Sequence, residues 1–372
     1  MNPNIPDDQM LQDFLREVPG GNQKPARSAE AEEAARAHWN TIAKPLHSLG
    51  RLEDILVQIA GIRGNADVRL DRRRVFVFCA DNGITDEGVT QCGREVTAKV
   101  AENIGKGGGN ICAIAGEARC DVFPADVGIA GTRDFPGVLK RKAAEGTRDF
   151  LKEPAMSGEE ALFAVRTGFE LTECSVREGY DILAAGEMGI GNTTTSAAVT
   201  AALLHLPSEQ LTGRGAGLDD AGLLRKRKVI EEGIAKYKLE QADAFGVLCA
   251  VGGFDLAATA GLFIGGAVRH IPVVMDGCIS AAAALIAERL LPGTKDFLIP
   301  SHLSREPIAT AVFRELGMHA VIDADLALGE GTGAVMMLHL LDSALAVYRT
   351  GSSFSGIGME AYREFETGEK KC

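Results

Sequence analysis

A chain of 372 residues with a formal net charge of −12 has room for a large core, and it shows no basic stripe with interleaved aromatics, so nucleic acid is not expected as a partner. Apolar residues make up 46% and aromatics only 5%, so the core must be Ala, Leu, Val and Ile, and the 44 glycines fall in discrete loops between apolar runs, as in an α/β protein. The eight cysteines (79, 92, 112, 120, 174, 249, 278 and 372) form no Cys-x-x-Cys pair and no zinc-spaced Cys/His cluster, which argues against a disulfide scaffold or metal centre and for a reducing, cytoplasmic setting.

The polar start, MNPNIPDDQM, is not a signal peptide. No run of about eighteen apolar residues is free of charge or punctuation, so no membrane span is expected. Residues 1–62 are polar with helical spacing: Ala29–His38 is rich in Ala and Glu, and Leu46–Ile62 carries Leu49, Leu52, Ile55, Leu56 and Ile59. Arg74–Ala80 then reads as a buried strand ending at Asp81-Asn82-Gly83. Further strands are expected at Cys120–Ala125, Ile182–Ala185, Phe245–Val251, Ile271–Met275 and Ala320–Asp323, with helical segments between most of them. Alternation of this kind predicts a mostly parallel sheet covered on both faces, with ligands at the carboxyl ends of the strands. That makes Asp81, Asp126, Glu187, Asp255, Asp276 and Asp323 site candidates as a group, although each is also a natural helix cap or turn former. Residues 131–158 are charged and broken by Pro and Gly, and read as an excursion at the surface or over the site.

Five segments carry chemistry. Gly186-Glu187-Met188-Gly189-Ile190-Gly191-Asn192-Thr193-Thr194-Thr195-Ser196 follows a strand and opens an Ala-rich helix. Glycine N–H groups, threonine hydroxyls and a helix N-terminus there form an anion cradle, or else a capped helix start. No Gly-Lys-Ser/Thr follows, so triphosphate hydrolysis is not indicated, and the spacing fails the dinucleotide fingerprint. Val251–Asp255, with Gly252, Gly253 and Asp255, repeats the pattern after another expected strand, and the loop 213–220 leads into Leu224-Arg225-Lys226-Arg227-Lys228. Such a basic run is ordinarily a solvated helix face; the sharper alternative is that one of its cations reaches an anionic substrate. Ser301-His302-Leu303-Ser304-Arg305-Glu306 clusters Ser, His and Glu, but without the nucleophile elbow of a serine hydrolase. Finally, Glu330 sits in Leu328-Gly329-Glu330-Gly331-Thr332-Gly333 just before an apolar helical run. A carboxylate beside free helix N–H groups suits proton abstraction next to a bound phosphate, and it equally suits a helix N-cap.

Together these segments resemble the nicotinate-nucleotide:dimethylbenzimidazole phosphoribosyltransferase family of cobamide biosynthesis. The resemblance is carried in consistent order by ADNGITDEGVT at 80–90, GEMGIGNTTTSAA at 186–198, GRGAGLDDAGLLRK at 213–226, VGGFDLAATAG at 251–261, PVVMDGCISAAAAL at 272–285, SHLSREP at 301–307 and LGEGTGA at 328–334. It implies a Rossmann-like α/β domain over 63–335 and a small helical lobe from both chain ends, 1–62 plus 336–372. It also implies a homodimer and no cofactor. The family reaction displaces nicotinate from nicotinate mononucleotide with a benzimidazole nitrogen, giving an α-ribazole phosphate with inversion at the anomeric carbon. By motif, Glu330 is implied as the general base, with Glu187 as the second catalytic carboxylate. Gly189, Gly191, Asn192, Thr193, Lys226, Gly252, Gly253 and Asp255 are implied around the phosphate and ribose. Asp81, Asn82, Thr90, Gly329, Ser301 and His302 are implied around the base.

The chain departs from the family pattern at Asn82, at Thr90–Gly93 and at Cys278, where small residues replace larger or more rigid ones. This raises the expectation of a roomier base pocket, open to a substituted benzimidazole, a purine or a phenol. A paralogue needing a partner subunit and a nucleotide hydrolase are the other readings.

Overall fold

The computed structural model describes residues 5–362, so the outer ends of the expected terminal lobe, including Cys372, lie outside the described residues. A six-stranded sheet organises the chain: β1 (Arg73–Ala80), β2 (Cys120–Gly128), β3 (Leu139–Lys140), β4 (Ile182–Met188), β5 (Val273–Met275) and β6 (Leu298–Pro300). Every pairing is parallel, in the order β3-β2-β1-β4-β5-β6. Chain direction across the sheet reverses between β1 and β4, which leaves a crevice at their carboxyl ends.

The helices are α1 (Gln9–Glu17), α2 (Ala29–Thr41), α3 (Arg51–Arg63), α4 (Glu95–Gly105), α5 (Asn110–Glu117), α6 (Gly158–Arg177) and α7 (Asn192–Leu204). They continue with α8 (Ser208–Leu211), α9 (Asp220–Tyr237), α10 (Ala244–Val251), α11 (Phe254–Val268), α12 (Cys278–Leu290), α13 (Pro307–Leu316) and α14 (Thr332–Thr350). β1 is buried along its whole length and feeds two cores by strand alternation. Phe76, Phe78 and Ala80 join the core shared with α6, α7 and α10–α13, while Val75, Val77 and Cys79 join that of α2–α5 and α14. α6 and α11 lie backbone to backbone: a methyl at Gly168 or Gly261 would collide with a carbonyl of the facing helix.

Near the chain ends, Trp39 packs edge-on against Tyr348 with ring centroids 4.9 Å apart, and Ile42 bridges to Ser353. α14 also places Val335 and Leu338 in the same core as Val75 of β1. α1 lies on the other face of the sheet, with Phe14 edge-on to Phe169 of α6 at 5.4 Å. No described helix is long and apolar enough to cross a membrane.

Four of the six expected strands are present at β1, β2, β4 and β5. Phe245–Val251 is instead helix α10, buried at every residue and capped by Asp243, whose Oδ1 accepts from the Gly246 N–H at 2.7 Å. A fully buried helix of this length has no polar face, so its sequence matches that of a buried strand. Ala320–Asp323 forms only an isolated bridge, His302 with Ile322, beside the unanticipated β6. The segment 131–158 supplies β3 and is then laced down. The Thr147 N–H donates to the Asp81 carbonyl at 3.0 Å, Ala155 and Met156 donate to the carboxyl end of α10, and Phe150 is fully buried.

Candidate active site

The β1/β4 crevice holds a cavity of about 240 Å³, walled by the β4–α7 turn, the loops at 213–217 and 327–329, and the start of α12. A larger hollow of about 420 Å³ between α2, α3 and α13 is lined by surface charges that largely pair among themselves, such as Arg27 with Glu32 at 2.8 Å. Of these two cavities the crevice is the one that joins convergent polar groups to shifted acids, so it is the site candidate.

β4 delivers Glu187 to the cavity wall, and Gly191, in the left-handed region at φ 96°, turns the chain into α7. The first residue of α7, Asn192, donates its amide to both Glu187 Oε2 and Asp255 Oδ2, the latter at 2.9 Å. One amide thus joins the buried Asp255 carboxyl to that of half-buried Glu187. Burial, reinforced by the Asp255 charge, pushes Glu187 up to about 8. Burial raises Asp255 to about 6, against the opposing hydrogen bond from Asn192. At neutral pH Glu187 therefore keeps its proton and Asp255 is mostly ionised.

This carries a stability consequence. Between the ordinary carboxyl value of 4.5 and about 8, native Glu187 holds a proton that the unfolded chain has released. Stability is therefore lost as pH rises through that window. Glu187→Gln is expected to equal the wild type in thermal stability near pH 4.5 and to exceed it increasingly up to about pH 8. Thermal unfolding over that range reads the effect, and a flat difference between the two proteins contradicts it.

Lys226, inside the basic run, is fully buried, while its neighbour Leu224 is 64% exposed. Its Nζ donates to Thr193 Oγ1 at 2.8 Å and to the Gly213 carbonyl at 3.3 Å. Burial pushes the ammonium down to about 8, opposed by the Glu306 charge. Glu306 Oε1 accepts from the Gly215 N–H at 3.0 Å, and its Oε2 is buried with no partner among the described residues. Thr193, Gly215 and Glu306 line the cavity and Lys226 stands behind Thr193, so this part of the wall joins a hydroxyl, a helix start and a carboxylate, backed by one buried cation.

Gly329 lines the cavity and Glu330 and Gly331 follow just outside its lining; the three take φ of 82°, 60° and 85°. Three successive left-handed residues, one of them not glycine, make a strained turn that only a well-determined surrounding sustains. Here Glu330 N–H donates to the Glu187 carbonyl at 3.2 Å, while Gly331 and Ala334 N–H donate to the two Asp276 oxygens, each at 3.1 Å. The α14 amide groups expected to be open to an anion are therefore taken up by Asp276, and the N-cap of α14 is Gly331, not Glu330. The Glu330 carboxylate turns instead to α5. Asn110 Nδ2 donates to Oε1 and the Ile111 N–H donates to Oε2, both at 3.1 Å.

Of the remaining expected residues, Thr90, Gly189 and His302 line the cavity. Ser301 and Asn82 are fully buried outside its lining; Asn82 donates to the Ile190 carbonyl at 3.4 Å. Asp81 accepts from the Ala130 N–H at 2.8 Å, holding the β1 and β2 ends together. Gly252 and Gly253 join helix α10 to α11 and do not follow a strand; a methyl at Gly253 would run into Asn82 and Asp255. His302 Nδ1 meets both Ser301 Oγ, at 3.1 Å, and Asp276 Oδ1, at 3.8 Å. A catalytic triad needs these partners on opposite ring nitrogens, so the cluster is not arranged as one.

A family profile described as "Phosphoribosyltransferase" matches residues 25–358. The chain belongs to this phosphoribosyltransferase family. The nicotinate-nucleotide–dimethylbenzimidazole phosphoribosyltransferase of Acetivibrio thermocellus is 41% identical over 334 residues, covering 90% of this chain and 95% of that one. The enzyme of the same name from Roseiflexus sp. is 43% identical over 330 residues, covering 88% and 94%. A crystal structure of the Thermus thermophilus enzyme of that name superposes with a TM-score of 0.84 at 39% identity, covering 90% of this chain and all of that one.

Of this phosphoribosyltransferase's departures from pattern, Thr90 and Cys278 are at the cavity wall, whereas Asn82 is not. Beside them stand Met188, Ile190 and Leu328, large apolar side chains from other segments. Asn110 and the lysine-side role of Glu306 are not legible in the sequence. Glu306 stands in one of the resembling motifs, but its partner loop at Gly215 lies 91 residues away.

Proposed function

We propose that this phosphoribosyltransferase moves the 5-phosphoribosyl group of nicotinate mononucleotide onto a nitrogen of dimethylbenzimidazole, releasing nicotinate and forming α-ribazole 5′-phosphate in the cytoplasm, as a homodimer. The observation that carries the reading is one cavity that joins the start of α7, at Asn192 and Thr193 with the buried Lys226 ammonium behind Thr193, to the apolar side chains of Met188, Ile190 and Leu328. Relatives that bear the name of this reaction share about 40% identity over most of the chain.

In this reading Lys226, Thr193 and the start of α7 hold the 5′-phosphate. Asp255, ionised at neutral pH, supplies negative charge near the anomeric carbon as the bond to the cationic nicotinate ring opens. Glu187 keeps its own proton at pH 7, which unfits it to take one and suits it to donate a hydrogen bond. That leaves Glu330 as the base that accepts the N–H proton of the incoming benzimidazole. Met188, Ile190, Thr90 and Leu328 form the wall against which the aromatic base lies.

The test is nicotinate release from nicotinate mononucleotide with and without dimethylbenzimidazole, alongside a purine and a phenol. Release that requires dimethylbenzimidazole supports the proposal. Release into water alone, or only with a phenol or purine, overturns the reaction or its base.

A further inference from the structure

Glu330 is held at its backbone by the strained turn, but a glutamate side chain has three further rotatable bonds and loses about 1.5–2 kcal/mol of entropy when fixed. A general base works only when its oxygen is already aimed at the proton. Two donors fix this carboxylate, the Asn110 amide and the Ile111 N–H, both from the first turn of α5. They engage different oxygens, so they define the plane of the carboxylate as well as its position. A carboxylate offers about four lone-pair sites, so each oxygen keeps one for an incoming proton. Asn110 itself is exposed, whereas Glu330 is only 7% exposed. The amide therefore contributes little to the core, and its one described side-chain hydrogen bond runs 220 residues along the chain to Glu330.

We propose that Asn110 is a positioning residue for the reaction, orienting the Glu330 carboxylate from the N-terminal turn of α5. The inference rests on Glu330 being the base. Asn110 touches neither the Lys226–Thr193 cradle nor the apolar wall, so its loss acts on turnover and not on nucleotide binding.

Asn110→Asp separates this from a role in helix stability. An acidic residue in the first turn favours the helix dipole, so α5 is at least as stable as before. The same change removes the donor and sets a second carboxylate against Glu330, and two such groups share a proton and repel. The expected result is kcat at least about tenfold lower, with KM for nicotinate mononucleotide within about twofold and unfolding still cooperative close to the wild-type temperature, the dipole gain and the carboxylate repulsion opposing each other. In a Glu330→Gln background the same change is expected to alter the residual rate by less than about twofold, because its partner is gone. Wild-type turnover by Asn110→Asp, or an equal loss in both backgrounds, overturns the inference while leaving Glu330 as base. Wild-type turnover by Glu330→Gln overturns the base assignment, and this inference with it.

Discussion

Glu330→Gln is expected to lower kcat for base-dependent nicotinate release by about 10²–10⁴-fold, the usual contribution of a positioned general base. The substitution keeps size and shape but removes the acceptor pair. The new amide keeps its oxygen on the Ile111 N–H and turns its N–H to Asn110, whose amide must rotate to offer Oδ1, so no acceptor remains aimed as the wild-type carboxylate was. The backbone hydrogen bonds that hold the turn, from Glu330 N–H to Glu187 and from Gly331 N–H to Asp276, are untouched, so the fold is retained. KM for nicotinate mononucleotide is expected to stay near wild type, because the hydrogen bonds of Lys226 and of the Glu330 carboxylate share no partner. Steady-state kinetics with thermal unfolding as a folding control checks this. A residual rate within about tenfold of wild type would move the base role elsewhere.

Lys226→Met is expected to raise KM for nicotinate mononucleotide by about 30–10³-fold, the loss of a buried charge-assisted contact worth about 2–4 kcal/mol. The variant should be no less stable than wild type below about pH 8, because the cost of burying the ammonium, seen in its fall from 10.5 to about 8, disappears with the charge. That cost is fully present below about 8 and is relieved as pH climbs toward 10.5, where the unfolded lysine also loses its proton. The same titration shapes catalysis. Wild-type kcat/KM is expected to decline above about pH 8, as free enzyme loses the cation that meets the phosphate. Glu187 releases its proton in the same range, so the profile is measured in Glu187→Gln as well. A decline that survives there belongs to Lys226, and one that vanishes there belongs to Glu187.

Much of this site is legible in the sequence because its parts are local. Gly186–Ser196 spells strand end, tight turn and helix start within one segment, and β1 announces itself as an unbroken β-branched and aromatic run. Lys226 is visible there only as one cation among several. Its selection depends on the helical phase that turns it inward beneath Gly213 while Leu224 faces out. α10 reads as a strand because complete burial erases the polar face that distinguishes a helix. The N–H groups ahead of α14 look free because Asp276, which accepts them, lies 55 and 58 residues away on the end of β5. The orientation of Glu330 is least legible of all. It depends on Asn110, reached only when the sheet brings α5 beside the 329–331 turn. Local chemistry is written in short motifs, whereas the partner that aims a catalytic group belongs to the tertiary fold.

The most direct measurement is the anomeric configuration of the product formed from nicotinate mononucleotide and dimethylbenzimidazole, read by NMR alongside the nicotinate released. Displacement across one cavity, with the phosphate held at Lys226 and the incoming base deprotonated by Glu330, gives an α-ribazole phosphate in equal amount to nicotinate. A β-configured product, or free ribose 5-phosphate with unconsumed dimethylbenzimidazole, would contradict it.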